Sequence, residues 1–239
     1  MYRVQKYLSI LGVASRRECE RKIKLGSVRI NNVIAELGSN VNAGDVIIYD
    51  DQEYFVTEKN QVIETKLIMY HKPIHEIVSR DDPQKRPSIF ESLPDIKGKW
   101  INIGRLDFNT SGLILFTNDG DLANKMMHPS SNIIRTYEVK IRGSLDNKKI
   151  KSSLDGIDIG NSEIGRFKEI IPISIKHNKY LVKLNTGKNR EIRRIFSHLG
   201  CHVINLKRTC YGQINLGQLK IKCHEFIDSK RISEFIDTH

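Results

Sequence analysis

The chain has 239 residues, and its 39 Lys and Arg outnumber 28 Asp and Glu to leave a formal charge of +11 at pH 7. Such an excess favours a polyanionic partner, nucleic acid above all, over an acidic or neutral one. Four cysteines (Cys19, Cys201, Cys210, Cys223) with no Cys-x-x-Cys pair argue against a zinc ribbon or a secreted disulfide framework, and no apolar run reaches the length of a membrane span.

The start, MYRVQKYLSILGVASRR, reads as an amphipathic helix rather than a signal peptide. Val4, Tyr7, Leu8 and Leu11 share one face over residues 3–11, and Gly12 supplies a stop. Ser15 and Glu18 have capping-box spacing, which predicts a second helix from Arg16 to Leu25 that ends at Gly26, with Cys19 and Ile23 inward. Within Ala14–Arg29, six basic residues (Arg16, Arg17, Arg21, Lys22, Lys24, Arg29) face two acidic ones, a composition suited to docking on an RNA backbone. Short strands are expected at Val28–Ile30 and Val46–Tyr49, with turns at Asn31-Asn32 and Ala43-Gly44-Asp45. The segment VQKYLSILGVASRRECERKIKLGSVRINN, with the later NAGDVI, resembles the alpha-L RNA-binding domain of a small-subunit ribosomal protein, which implies RNA binding.

Residues 51–66, of mixed charge and no sustained period, read as a linker or connecting strand. The division is therefore a small RNA-binding domain with its linker at 1–60 and a larger domain at 61–239. From Leu67 onward, strand-like runs recur in LIMYHKP, WINIGRL, LILFTND, TYEVKIRG and KYLVKLNT. Helical patterns fall at Pro87–Leu93, Gly120–Met127, Asn147–Leu154 and Asn189–Leu199. Strands joined by turns, with a few inserted helices, predict an α+β fold whose sheet is mixed and mostly antiparallel.

There is no P-loop, no Gly-x-Gly-x-x-Gly fingerprint and no His-Glu-x-x-His helix, so the expectation is chemistry without cofactor or metal. Two stretches stand out. In GRLDFNTSGLILFTNDGD (104–121), Asp107 lies between Arg105 and a Thr-Ser-Gly turn, at the mouth of a buried strand. An acid there either caps the turn or does chemistry, and a nearby arginine suits an ionised nucleophile or base. In TGKNREIRRIF (186–196), Lys188, Arg190, Arg193 and Arg194 surround Glu191 at the start of a helix, where an anion would offset their charge. Asp119 and Asp121, the available second carboxylates for a glycosidase, sit in or beside an Asn-Asp-Gly turn.

The stretch GRLDFNTSGLILFTNDGDLANKMMHPS, with HKPIHEIVSRDDPQKRPSIFESLP before it and TGKNREIRRIFSHLG after it, resembles the ribosomal RNA pseudouridine synthase family. The similar subfamily carries an N-terminal alpha-L domain, and DDPQKRPSIFESLP is closest to the branch acting on large-subunit (23S) RNA. The resemblance implies that Asp107 is the essential aspartate, that Arg105 lies near the flipped nucleotide, that Tyr137 stacks on the uracil, and that Arg193 pairs with the aspartate. Lys72 and Pro73 match the family's first motif, but His75 stands where a glycine is usual, a departure that bears on the local turn. The expected product is pseudouridine, made by a cytoplasmic, monomeric chain acting on ribosomal RNA with no membrane partner. The rival readings are a non-catalytic RNA-binding assembly factor and an RNA-directed glycosidase using Asp107.

Overall fold

The computed structural model describes residues 1–57, 64–228 and 230–233. The chain divides into two compact units, one of Met1–Thr65, Asp95–Trp100 and Asn118–Gly120, the other of Lys66–Pro94, Ile101–Thr117 and Asp121–His239. The expected boundary between residues 60 and 61 lies outside the described residues.

In the small unit, helix α1 (Val4–Ile10) buries Val4, Tyr7 and Leu8, while Leu11 is its C-cap and is exposed. Gly12 takes a φ of +77°, and the N–H groups of Gly12 and Val13 close the helix on the carbonyls of Ser9 and Leu8. Helix α2 (Arg16–Lys24) starts at Ser15, whose Oγ accepts from the Glu18 N–H at 3.2 Å. The Glu18 carboxylate does not complete the box; it binds the Arg21 guanidinium at 2.6 and 2.9 Å. Cys19 and Ile23 point into a core that includes Val28, Val41 and Ile47. An antiparallel sheet follows, in the order Val33–Ile34, Val28–Ile30, Val46–Tyr49, Gln52–Phe55. Its last strand falls where the sequence suggested a linker or connecting strand. Asp50 and Asp51 both adopt positive φ, 48° and 63°, and this two-residue turn folds Gln52–Phe55 back on Val46–Tyr49.

The large unit is built on one sheet, ordered Glu169–Ser174, Lys179–Leu184, Arg135–Arg142, His202–Tyr211, Ser111–Thr117, Leu67–Lys72, His224–Ile227. Ile101–Ile103 also pairs with Ser111–Thr117. Neighbours run antiparallel except at the centre, where Ser111–Thr117 and His202–Tyr211 are parallel. Helix α3 (Gly120–Met127) covers Met69, Leu113 and Leu115 with Leu122, Ala123 and Met126. Helix α4 (Asn147–Asp155) is capped by Asp146, and α5 (Glu191–His198) packs Ile192, Ile195 and Phe196 on Val139, Val182 and Leu206. Each half of the sheet thus has its own apolar cover.

Three of the seven strands along the main path of the large sheet, Glu169–Ser174, His202–Tyr211 and His224–Ile227, were not foreseen by the sequence pattern, nor were several two-residue strands such as Val33–Ile34 and Ile214–Asn215. The helix expected at Pro87–Leu93 shrinks to a single 3-10 turn, Ile89–Ser92, because Leu93 is extended ahead of Pro94. At the sheet centre, Gly112 has a φ of +106°, and a Cβ there would lie 2.1 Å from the Arg208 carbonyl oxygen. Only glycine lets the two parallel strands meet at that point.

Strand Leu67–Lys72 is buried throughout. At its end the fully buried Lys72 ammonium donates to the carbonyls of Pro73 (2.8 Å) and Thr110 (3.0 Å). Burial lowers its pKa to about 8, against the attraction of Glu76 and Asp107. The turn that follows passes through His75, which takes the left-handed conformation at φ +68°, as the glycine it replaces would. Its ring lies 5.2 Å from that of Phe108.

Two outcomes follow for stability. The folded chain binds fewer protons than the unfolded one between the Lys72 pKa of about 8 and the ordinary 10.5. The penalty of burying the ammonium is therefore complete below pH 8 and is relieved as pH rises, so wild type should gain on Lys72→Met across that window by on the order of 1–3 kcal/mol in denaturant melts. At residue 75, glycine removes left-handed strain that alanine keeps. His75→Gly should accordingly exceed His75→Ala by about 1 kcal/mol, a few degrees in thermal melting.

Candidate active site

Asp107 lies in loop 104–110, between strands Ile101–Ile103 and Ser111–Thr117. Four successive carbonyls of this loop accept a hydrogen bond from four different donors. Asp107 O receives the Thr110 N–H at 3.0 Å, and Phe108 O receives the His75 N–H at 2.7 Å. Asn109 O receives Arg193 Nη2 at 2.8 Å, and Thr110 O receives Lys72 Nζ at 3.0 Å. Asn102 Nδ2 adds a bond to Gly104 O at 2.8 Å. The backbone after Asp107 is fixed by partners from distant parts of the chain, and that before it by the nearby Asn102.

The Asp107 side chain is half-buried, and among the described residues no hydrogen bond or ion pair reaches its carboxylate. It caps nothing. The acid is carried on a rigid loop with its oxygens open to an incoming group. It opens into a cleft of about 1190 Å³ whose lining includes Arg105, Tyr137, Lys188, Arg190, Arg193 and Arg208. Seven basic and four acidic side chains line this cleft, so its field draws a polyanion in.

Arg193 enters the cleft from the first turn of α5, but it does not pair directly with Asp107. Its guanidinium donates to the carbonyls of Asn109 and Val203 (2.8 and 3.3 Å), while its buried Nε has no partner. Burial lowers its pKa, Arg190 adds to that effect, and the Asp107 charge opposes both. The expected contact is therefore a through-space attraction beside a backbone anchor. Arg105 is exposed on the loop itself.

Tyr137 sits half-buried on Arg135–Arg142, on the edge of the apolar cluster under α5. Its partner across the sheet is Arg208. Lys188 and Arg190 line the cleft just ahead of α5, with Arg190 at the N-cap position in the left-handed conformation. Arg194 does not join them. Its guanidinium is held by Glu163 Oε2 (2.5 Å) and by the carbonyls of Ile159 and Gly160 (2.8 and 2.7 Å), so it staples α5 to loop 159–163. Glu191, surrounded by cations in the sequence, proves to be a buried cap that accepts from Thr186 Oγ1 and the Lys188 N–H (2.8 and 3.0 Å). In the small unit, Arg16, Arg17, Lys24 and Arg29 are exposed, whereas Arg21 is paired with Glu18 and Lys22 with Asp50.

Sequence reasoning passed over Arg208, which is 2% exposed yet lines the cleft. The signal was available in the alternation of Leu206 and Arg208 on one strand, but a charged residue at an inward position reads as a break in the strand. Most of the other acids are already engaged, the exposed Asp81 of the cleft lining excepted. Asp82 is tied to Arg86 at 2.7 and 2.9 Å, Glu191 is spent as a cap, and Asp119 accepts from Thr65 at 3.1 Å. Among the described residues, no group of three or more His, Cys, Asp or Glu side chains is placed to hold a metal ion. No helix among them is long and apolar enough to cross a membrane.

Comparison with known proteins agrees with this geometry. The ribosomal large subunit pseudouridine synthase B of Buchnera aphidicola (subsp. Schizaphis graminum) is 42% identical over 222 residues, covering 90% of this chain and 85% of the relative. That of Vibrio vulnificus is 37% identical, over 90% of this chain and 68% of its own. That of Xanthomonas campestris is 39% identical, but the chain spans only 44% of its length. A crystal structure of a pseudouridylate synthase superposes with a TM-score of 0.70 at 22% identity, covering 98% of this chain and all of the other, a likeness of fold. Residues 3–47 match the S4 domain. Residues 66–198, which carry the Asp107 loop, Tyr137 and all of α5, match RNA pseudouridylate synthase, and the chain belongs to that family.

Proposed function

We propose that this chain converts a uridine of large-subunit ribosomal RNA to pseudouridine, with Asp107 as the essential carboxylate. The observation that carries the reading is the Asp107 carboxylate itself, held by a loop bonded at four carbonyls and left without a partner in a basic cleft. The names of the relatives, all ribosomal large subunit pseudouridine synthase B, support ribosomal RNA as the substrate.

The chemistry makes few demands, and the cleft meets them. The target nucleotide must leave its stack, at a cost of a few kcal/mol offset by contacts in the pocket. The Tyr137 ring offers a stacking face worth roughly 1–3 kcal/mol. Asp107 acts at the ribose, either adding to C1′ or removing the 2′ proton, and Arg193 holds the loop through the Asn109 carbonyl. Arg105, Lys188 and Arg190 at the cleft mouth are suited to flanking phosphates. Arg16, Arg17, Lys24 and Arg29 give the small unit a grip on a neighbouring stem, with Arg21 and Lys22 available once their acids are displaced. The chain works as a monomer in a reducing cytoplasm, a setting suited to its four free cysteines.

The test is carbodiimide-stopped primer extension on large-subunit RNA treated with wild type or with Asp107→Asn. One new stop made by wild type, with the variant slower by at least about 10³-fold and RNA affinity kept, is the expected result. Tight binding with no new stop on naked RNA or on ribosomal particles would instead favour a non-catalytic assembly factor. A stable abasic site would favour a glycosidase.

A further inference from the structure

We infer that Arg208 is a further catalytic residue, which donates a hydrogen bond to a carbonyl oxygen of the flipped uracil and stabilises the ring anion formed when the glycosidic bond breaks. This assignment rests on the isomerase reading above and adds to it the group that receives the leaving charge.

Arg208 is placed for that task by four neighbours. Its Nε donates to the Leu113 carbonyl at 2.6 Å, and its Cζ lies 5.3 Å from the centre of the Tyr211 ring. On one side, Gly112 leaves the space that brings the Arg208 backbone against the central strand. On the other, Arg208 is the direct partner of Tyr137, and opposed residues of an antiparallel pair share one face of the sheet with Cβ atoms roughly 4.5–5.5 Å apart. The cation therefore lies beside the ring on which the base would stack.

Arg208 is also only 2% exposed, lines the Asp107 cleft, and has a buried Nη2 with no hydrogen-bond partner. A buried donor left unpaired costs stability, and a buried cation costs more. A substrate acceptor entering the cleft would satisfy it. A flipped uracil brings two carbonyl oxygens, and these carry much of the negative charge once the ring departs as an anion.

The reaction requires such a group. When C1′–N1 breaks, the bonding pair stays on the uracil, whether the Asp107 carboxylate bonds to C1′ or takes the 2′ proton. C5 of the ring anion then attacks C1′. The displaced carboxylate leaves, or the 2′ proton returns to C2′. Finally the C5 proton is lost and N1 gains one, so substrate and product have the same atoms. Asp107 is an anion at the ribose and cannot neutralise charge on the base. Arg208, fixed in a low-dielectric setting before the reaction starts, can.

The test compares wild type, Arg208→Gln and Arg208→Lys in single turnover on transcripts containing the mapped uridine, made with [5-³H]uridine or with 5-fluorouridine. Tritium release follows the first substrate, and loss of 5-fluorouridine from digested RNA follows the second. Fluorine makes the base a better leaving group, so it should lessen dependence on the cation. The expected result is a uridine rate lowered by about 10²–10³-fold in Arg208→Gln, RNA affinity within threefold of wild type, and a deficit at least tenfold smaller on 5-fluorouridine. Arg208→Lys should lie between. Equal deficits on both bases, a wild-type rate, or loss of RNA affinity in proportion to rate would overturn the assignment. Failure of both variants to give a cooperative melt would also overturn it and return Arg208 to the core. A wild-type chain that releases no tritium sinks the isomerase reading itself.

Discussion

Loop 107–110 is held by its own backbone oxygens, and the rest of the large unit is arranged to supply the donors. One comes from the turn itself, one from the His75 amide, one from α5 through Arg193, and one from the end of the buried strand Leu67–Lys72 through Lys72. Fixing a residue's backbone costs roughly 1–2 kcal/mol of conformational entropy, which would otherwise be lost again at each encounter with substrate. Here that ordering is done on folding. The site gains a carboxylate whose position does not depend on any bond to the carboxylate, which leaves both of its oxygens available for chemistry.

The central parallel pair of strands serves the same end. Gly112 admits the Arg208 backbone, and Arg208 in turn bonds to the Leu113 carbonyl beyond it. The strand that follows the Asp107 loop is thereby fastened to the strand that lies against Tyr137. The Tyr211 ring, buried and with its hydroxyl bonded to the Met126 carbonyl at 2.8 Å, lies within 4.9 Å of the Arg135 guanidinium and 5.3 Å of that of Arg208. The attraction of each cation to the ring offsets part of their mutual repulsion. Arg135 is further tied down by the carbonyls of Ile133 and Asn185. The sheet thus keeps several cations close together in a folded protein while leaving some of their donors unmet.

Much of this was legible in the sequence where local chemistry dominates. The Asp107 loop announces itself through Gly104, the Thr-Ser-Gly turn and the apolar run after it, and the small unit through helix caps at Ser15, Gly12 and Gly26. Legibility failed where long-range contacts decide. His202–Tyr211, the longest strand, hides because it carries Arg208 at an inward position, and only the cross-sheet neighbours Gly112 and Tyr137 explain an arginine there. Arg193 and Arg194 are adjacent and look equivalent, yet a turn of helix sends one to the cleft and the other to Glu163. His75 looked like a broken glycine position. The backbone takes the same left-handed turn, because the His75 amide must reach the Phe108 carbonyl whatever the side chain.

The placement of Arg193 also accounts for the absence of a direct bridge between it and Asp107 in the free cleft. A bidentate bridge between Arg193 and Asp107 would satisfy both groups and have to be weakened before the carboxylate approached a ribose. Bonding the guanidinium to the Asn109 carbonyl, two residues along, keeps its charge within reach of Asp107 without occupying the carboxylate. The cost appears as buried donors without partners, Arg193 Nε and Arg208 Nη2, in an already cationic cleft. Those are the groups that a flipped nucleotide, rich in acceptors and carrying its phosphate, would satisfy. Affinity for the substrate and incomplete bonding in its absence are, in this cleft, two views of one arrangement of charge.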